Sequence, residues 1–237
     1  MFETETLLKI KVACIGGDAP TINKISKLPQ VEFIAVDGVK NILKNRAGFE
    51  KSFEGADLIF IVAGSKTSAA PVLAEIAKSS GALTVAVAIL PFDVETLRPH
   101  VDTVIATPNN DILFETVQAI SNLIALPGVI NMDITDIAGM LKNSGAAIVG
   151  IGTAKTSRDA AIAALDYPLM KNKIQGARNI LISFMGAENS FSMLEVDEAA
   201  NIIQDAANVD AAIMWGMSIN ENFGNTVKVT IIATSFE

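Results

Sequence analysis

The chain has 237 residues, a net charge of −8, and a composition that is half hydrophobic but only 5% aromatic. That length can bury a substantial core in one large or two small domains, and aliphatic richness with one Trp and one Tyr favours helix-covered parallel strands over an all-β sandwich. The acidic balance leaves no basic field to gather nucleic acid or anionic lipid, and the lone Cys14, inside the first apolar run, excludes a disulfide framework.

The first run, Leu7 to Ile15, reads as a strand ending in Gly16-Gly17, a weak signal for a phosphate-binding turn. Ile22 to Leu28 reads as a short helix, Val31 to Val36 as a strand, Lys40 to Leu43 as a turn or short helix, and Lys44 to Glu54 as a polar connection. Ala56 to Ala63 is apolar nearly throughout, as befits a strand buried on both faces. Gly64-Ser65-Lys66-Thr67-Ser68 then leads into a helix from Ala69 to Ser79 with Pro71 in its first turn. A strand, a small-residue loop and a helix start can bind an anion, but the Walker spacing is missing around Lys66-Thr67. Strands over Leu83 to Leu90 and Val101 to Thr107 follow. The helix Asp111 to Leu126, with Leu113, Val117, Ile120, Leu123 and Ile124 on one face, completes a doubly wound layer.

Pro127-Gly128 stops that helix, and Asp133 and Asp136 then fall three apart where the next apolar-periodic run begins. Acids in that position cap the free N–H groups of a helix start, and they also suit chemistry. Ile137 to Asn143 continues the helix, Ala146 to Ile151 is a strand reaching Gly150-Ile151-Gly152, Arg158 to Leu165 a helix and Asn179 to Phe184 a strand. Met193 to Ala207 is an amphipathic surface helix. Ala211 to Ile219 and Thr226 to Phe236 read as a closing hairpin around Asn220 to Asn225. Met1 to Thr6 has no basic leader, and no apolar run reaches the roughly 18 residues of a membrane span. The expectation is a cytoplasmic protein with no direct membrane insertion.

The string Pro127-Gly128-Val129-Ile130-Asn131-Met132-Asp133-Ile134-Thr135-Asp136-Ile137 closely resembles the Pro-Gly-Leu-Ile-Asn-Leu-Asp-Phe-Ala-Asp-Val loop of the FtsZ/tubulin family. Ordered matches run from about Ile10 to Phe236, among them Val31-Glu32-Phe33-Ile34-Ala35-Val36, Gly81-Ala82-Leu83-Thr84-Val85-Ala86-Val87, Asp102-Thr103-Val104-Ile105 and Val229-Thr230-Ile231-Ile232-Ala233-Thr234. In that family the loop is the synergy loop, which enters the GTP site of the next subunit and supplies carboxylates that promote hydrolysis. The resemblance assigns that role to Asn131, Asp133 and Asp136. It implies a Rossmann-like α/β domain over residues 1–109, a central helix and synergy loop over 110–136, and a smaller α+β C-terminal domain over 137–237.

The nucleotide pocket departs from the family. Gly16, Gly17, Gly64, Ser65, Lys66, Thr67, Ser68, Glu95 and Asn110 occupy its positions, but the family's Gly-Gly-Gly-Thr-Gly-Thr-Gly has shrunk to Ser65-Lys66-Thr67-Ser68. Glycines there let backbone N–H groups approach phosphate and take φ > 0. Asp18 would repel phosphate, Pro20 removes an amide donor, and Asn110 replaces an acid that accepts both of guanine's N–H groups. Glu95 keeps the ribose-contacting position, yet the helix after it is excised, and the γ-phosphate loop between Asn41 and Glu54 is missing. The lone His100 and the loop residue Lys66 anchor no mechanism. The resulting expectation is a self-assembling cytoskeletal subunit that has largely lost GTP binding. It would act through head-to-tail contacts with itself or with a functional FtsZ in filament formation or the modulation of cell division. GTP or GDP with Mg²⁺ is implied only for a competent pocket, and no metal site of its own is expected. The alternative is an active GTPase with a rebuilt pocket, in which Asp133 and Asp136 activate water at a neighbour.

Overall fold

The computed structural model describes residues 8–16, 19–64, 68–125, 128–190 and 192–236. The first half alternates strand and helix: β1 (Ile10–Ile15), α1 (Ala19–Ile25), β2 (Val31–Val36), α2 (Gly38–Lys44), α3 (Arg46–Phe53), β3 (Leu58–Ala63), α4 (Ala70–Ser79), β4 (Leu83–Ile89) and β5 (Thr103–Thr107). The central helix α5 (Asn110–Ala125), β6 (Gly128–Ile130) and α6 (Ile134–Leu141) lead into the second half, which comprises β7 (Gly145–Ala154), α7 (Ser157–Leu165), β8 (Asn179–Gly186), α8 (Met193–Ala206), β9 (Ala212–Ile219) and β10 (Val227–Thr234). Within the described residues the strands form one ten-stranded sheet in the order β2-β1-β3-β4-β5-β7-β10-β8-β9-β6. The first five are parallel in a doubly wound order.

The run Ala56 to Ala63, read as a strand buried on both faces, is that in β3, every residue of which is buried, and β1 is buried throughout as well. Alternation across the sheet sends Val12, Phe60, Val85, Ile105, Ala147 and Leu181 to one face, under α1, α5 and α6. The other face carries Ala13, Ile61, Ala86 and Val104 beneath α2, α3 and α4. In the second half the equivalent face, with Ile180, Ile182 and Phe184, lies under α7 and α8. Cys14 is buried, and desolvation pushes its thiol up to about 12.

Helix α7 sits on β7 with almost nothing between them. A Cβ on Gly152 would come 2.1 Å from the Ala160 carbonyl oxygen, and one on Gly150 would come 2.3 Å from that of Ala164. Gly150 and Gly152 are therefore packing positions inside β7, which continues to Ala154 rather than ending at Ile151. The seam between halves is backbone pairing of β5 with β7, from Thr103↔Gly145 to Ala106↔Ile148. Lys228 of β10 adds a pair with Glu115 of α5 at 2.6 Å and lies 5.3 Å from the Phe223 ring.

Three expectations need correction. The last two strands do not form a hairpin: β10 lies between β7 and β8, antiparallel to both, whereas β9 lies outside β8 and parallel to it. Residues Ile231, Ile232 and Ala233 are almost fully buried and demand an interior position, and the Asn220 to Thr226 connection is long enough to step over β8. The polar connection Lys44 to Glu54 contains α3, whose Phe49 and Phe53, one turn apart, are buried. Finally, Gly128 to Ile130, where only the stop of a helix was read, form the short strand β6, which pairs with β9.

Candidate functional site

Two groups of sequence-selected residues lie at opposite ends of α5. At its start, parallel β1 and β3 bring Gly16 and Gly64 side by side. Gly16 has φ +68°, and the Gly64 amide donates to the Ile15 carbonyl at 2.9 Å. A Cβ on Gly64 would fall 1.9 Å from the Gly16 carbonyl oxygen, so this glycine makes room for another loop's backbone. Asn110 opens α5 on the carboxyl side of β5, where Asn109 Oδ1 accepts from the Ile112 amide at 3.0 Å. Lys24 of α1 holds this end by pairing with Asp111 at 3.2 Å. Ser68 is exposed just before α4. Gly17, Ser65, Lys66 and Thr67 lie outside the described residues.

Glu95 is placed apart from these glycines. It sits on the crossover from the carboxyl end of β4 to the amino end of β5, exposed and 3.5 Å from Arg98. The Arg98 guanidinium in turn rests over Gly145, at the start of β7. His100, on the same crossover, is half-buried.

The second group lies past the other end of α5. Sixteen helical residues span about 24 Å, too far for the acidic turn to serve the Gly16/Gly64 edge of its own subunit. Asp133 is the N-cap of α6: its Oδ1 accepts from the Thr135 amide at 2.9 Å, and its own amide donates to Asp136 Oδ2 at 3.2 Å. The pair is thus a capping box, the structural role open to it from sequence. In that box the Asp133 carboxylate serves the backbone amides of the first turn, and the Asp136 carboxylate reaches back to the Asp133 amide. Asn131 and Asp133 are exposed and Asp136 half-exposed, so the turn is open to solvent. The capping box therefore orients the acids while leaving them at the surface.

Sequence reasoning missed a third place, the amino edge of β5. Asp102, 2% exposed, accepts from the Lys78 ammonium, from the Thr84 amide at 2.9 Å and from the Asn143 amide at 3.3 Å. No local spacing announces it, because its partners come from α4, β4 and the α6–β7 turn. Among the described residues, no group of three or more His, Cys, Asp or Glu is arranged to hold a metal, and no helix is long and apolar enough to cross a membrane.

Residues 145–237 match the FtsZ family, C-terminal domain. The chain is 26% identical to the FtsZ of an empty M. jannaschii dimer, covering 98% of this chain and 89% of that one with a TM-score of 0.88. The W319Y mutant of the same FtsZ gives 26% identity, 98% and 92% coverage and a TM-score of 0.89. CetZ2 from Haloferax volcanii, in a GTPγS-bound protofilament, shares the fold at 14% identity and a TM-score of 0.71, with 97% and 94% coverage.

Proposed function

From a chain that carries the FtsZ fold throughout and an FtsZ-family C-terminal domain over residues 145–237, we infer a self-assembling cytoskeletal subunit that stacks head to tail, with GTP binding largely lost. The observation that carries this reading is the separation of the two site halves by α5, about 24 Å, with the acidic turn outward. A site built from both halves closes only when Asp133 and Asp136 of one subunit meet the Gly16/Gly64 edge of the next. Such a heterologous contact repeats into an open filament. The dimeric state of the M. jannaschii FtsZ supports the same direction.

The weak point of the site is its phosphate side. Family members use GTP with Mg²⁺, and the glycine edge would have to supply amide donors to the phosphates. The Gly64 amide is already given to Ile15, and the space a Gly64 Cβ would occupy is filled by the Gly16 carbonyl oxygen, an acceptor. Asn110 offers one acceptor where two guanine N–H groups need pairing. The residues described here fit a triphosphate poorly, and with few preorganised donors the acids have little developing charge to act on. The subunit would then act in the cytoplasm through contacts with its own copies or with a functional FtsZ.

Equilibrium binding of GTP and GDP, with and without Mg²⁺, on nucleotide-free protein tests this, alongside sedimentation at rising concentration. The expected result is no saturable nucleotide binding, with pelleting of the protein alone or a change in the pelleting of a functional FtsZ. Micromolar binding with nucleotide-dependent pelleting would overturn it in favour of a GTPase with a rebuilt pocket.

A further inference from the structure

The ten-stranded sheet ends in two edges of different character. At one, β6 is only three residues long and meets β9 through a shifted register, so it offers little backbone to a further strand. At the other lies β2, and among the described residues no strand lies outside it. It runs six residues in unbroken parallel register with β1, from Ile10↔Val31 to Ile15↔Val36. Alternate residues along such a strand turn their N–H and C=O groups away from the neighbour they pair with, towards whatever lies beyond the edge.

The sequence does not guard this edge. Val31-Glu32-Phe33-Ile34-Ala35-Val36 contains no Lys, no Pro and no bulge, the devices that ordinarily keep an edge from pairing. Its one charge, Glu32, is drawn back onto its own subunit by the buried Lys11 at 3.2 Å. Val31, Phe33 and Ile34 pack on the two core layers yet stay half-buried, and Ala35 is exposed.

A second copy of the chain fits this edge. Two β2 strands related by a two-fold axis normal to the sheet run antiparallel, and only the residue on the axis meets its own copy. With Phe33 on the axis, Val31 faces Ala35 of the other copy and Glu32 faces Ile34, so the two carboxylates never sit directly opposite each other. The central pair sets aromatic against aromatic, a favourable cross-strand contact.

We propose that the β2 edge pairs with the β2 edge of a second copy, joining two ten-stranded sheets into one across a two-fold axis. The contact uses neither end of α5, so it stands independently of head-to-tail stacking. One corollary does rest on that stacking: because α5 lies on the sheet, an axis normal to the sheet reverses it, and two filaments joined along β2 run antiparallel.

Hydrogen exchange of the full chain at low and high protein concentration tests the pairing, with sedimentation velocity on the same samples. The outward amides of Val31–Val36 are expected to gain about tenfold protection at high concentration, together with a heavier sedimenting species. Ala35→Lys places an ammonium on the exposed edge and should weaken association about tenfold. A thermal melt establishes that this variant is folded, which the exposure of Ala35 favours. Protection of β2 that does not change with concentration would overturn the proposal and leave the edge to a strand of a different chain. Association undiminished in Ala35→Lys would overturn it as well. Concentration-dependent protection at the acidic turn alone would overturn it while supporting head-to-tail stacking, so the two contacts fail separately.

Discussion

At the amino edge of β5, Asp102 commits both carboxylate oxygens to the fold, joining α4, β4 and the α6–β7 turn from a position 2% exposed. At the start of α6, Asp133 and Asp136 cap the helix and stay at the surface. The two places hold the same chemical group in the same fold, yet only the second leaves it open to solvent. The contrast separates a carboxylate that holds elements together from one that the elements hold out.

The sharpest test of that contrast is Asp102→Ala, which strands a lysine and two amides. It should lower stability by about 3–5 kcal/mol in urea unfolding. Next come Gly64→Ala and Gly152→Ala, each forcing a methyl into a neighbouring backbone, at a cost of about 3 kcal/mol by the same measurement. Asp133→Ala should cost only about 1 kcal/mol, the worth of an N-cap, while reducing assembly in sedimentation far more than its stability loss accounts for. If Asp133→Ala destabilised the chain as much as Asp102→Ala, the distinction between the two acids would collapse.

The smallest effect concerns Cys14, whose thiol burial pushes up to about 12 from an ordinary value near 9.0. The folded state holds its proton where the unfolded chain releases it. Stability from this group is therefore complete below about pH 9 and is lost as pH rises towards about 12. Cys14→Ala should flatten that part of the stability profile, and the native thiol should resist alkylation at neutral pH.

Much of the fold was legible because burial leaves a period in the sequence. The doubly buried β1 and β3, the stripe of α5 and the capping acids of α6 all announce themselves locally. The hairpin error has a physical origin, since alternation marks Ala212–Ile219 and Val227–Thr234 as strands but says nothing of which neighbour each will pair with. Helix α3 was hidden by its charged residues, although Phe49 and Phe53, with Arg46 and Glu50 beside them, carried the helical spacing. Gly150 and Gly152 read as a strand's end because glycine usually marks a turn, and the spacing does not show that the next helix packs directly on their backbone. The acidic turn was readable as a contiguous string. The Asp102 junction, assembled from residues far apart in the chain, was not.

The seam between β5 and β7 has a mechanical consequence. It joins the halves through four register pairs, whereas β10 meets β7 and β8 through eight each. Tension applied along these strands would load the four-pair seam in shear, with the Lys228–Glu115 pair and α5 sharing the strain. A pull across this seam would therefore part it before β10 leaves β7 or β8, turning one continuous sheet into two bodies joined by a helix.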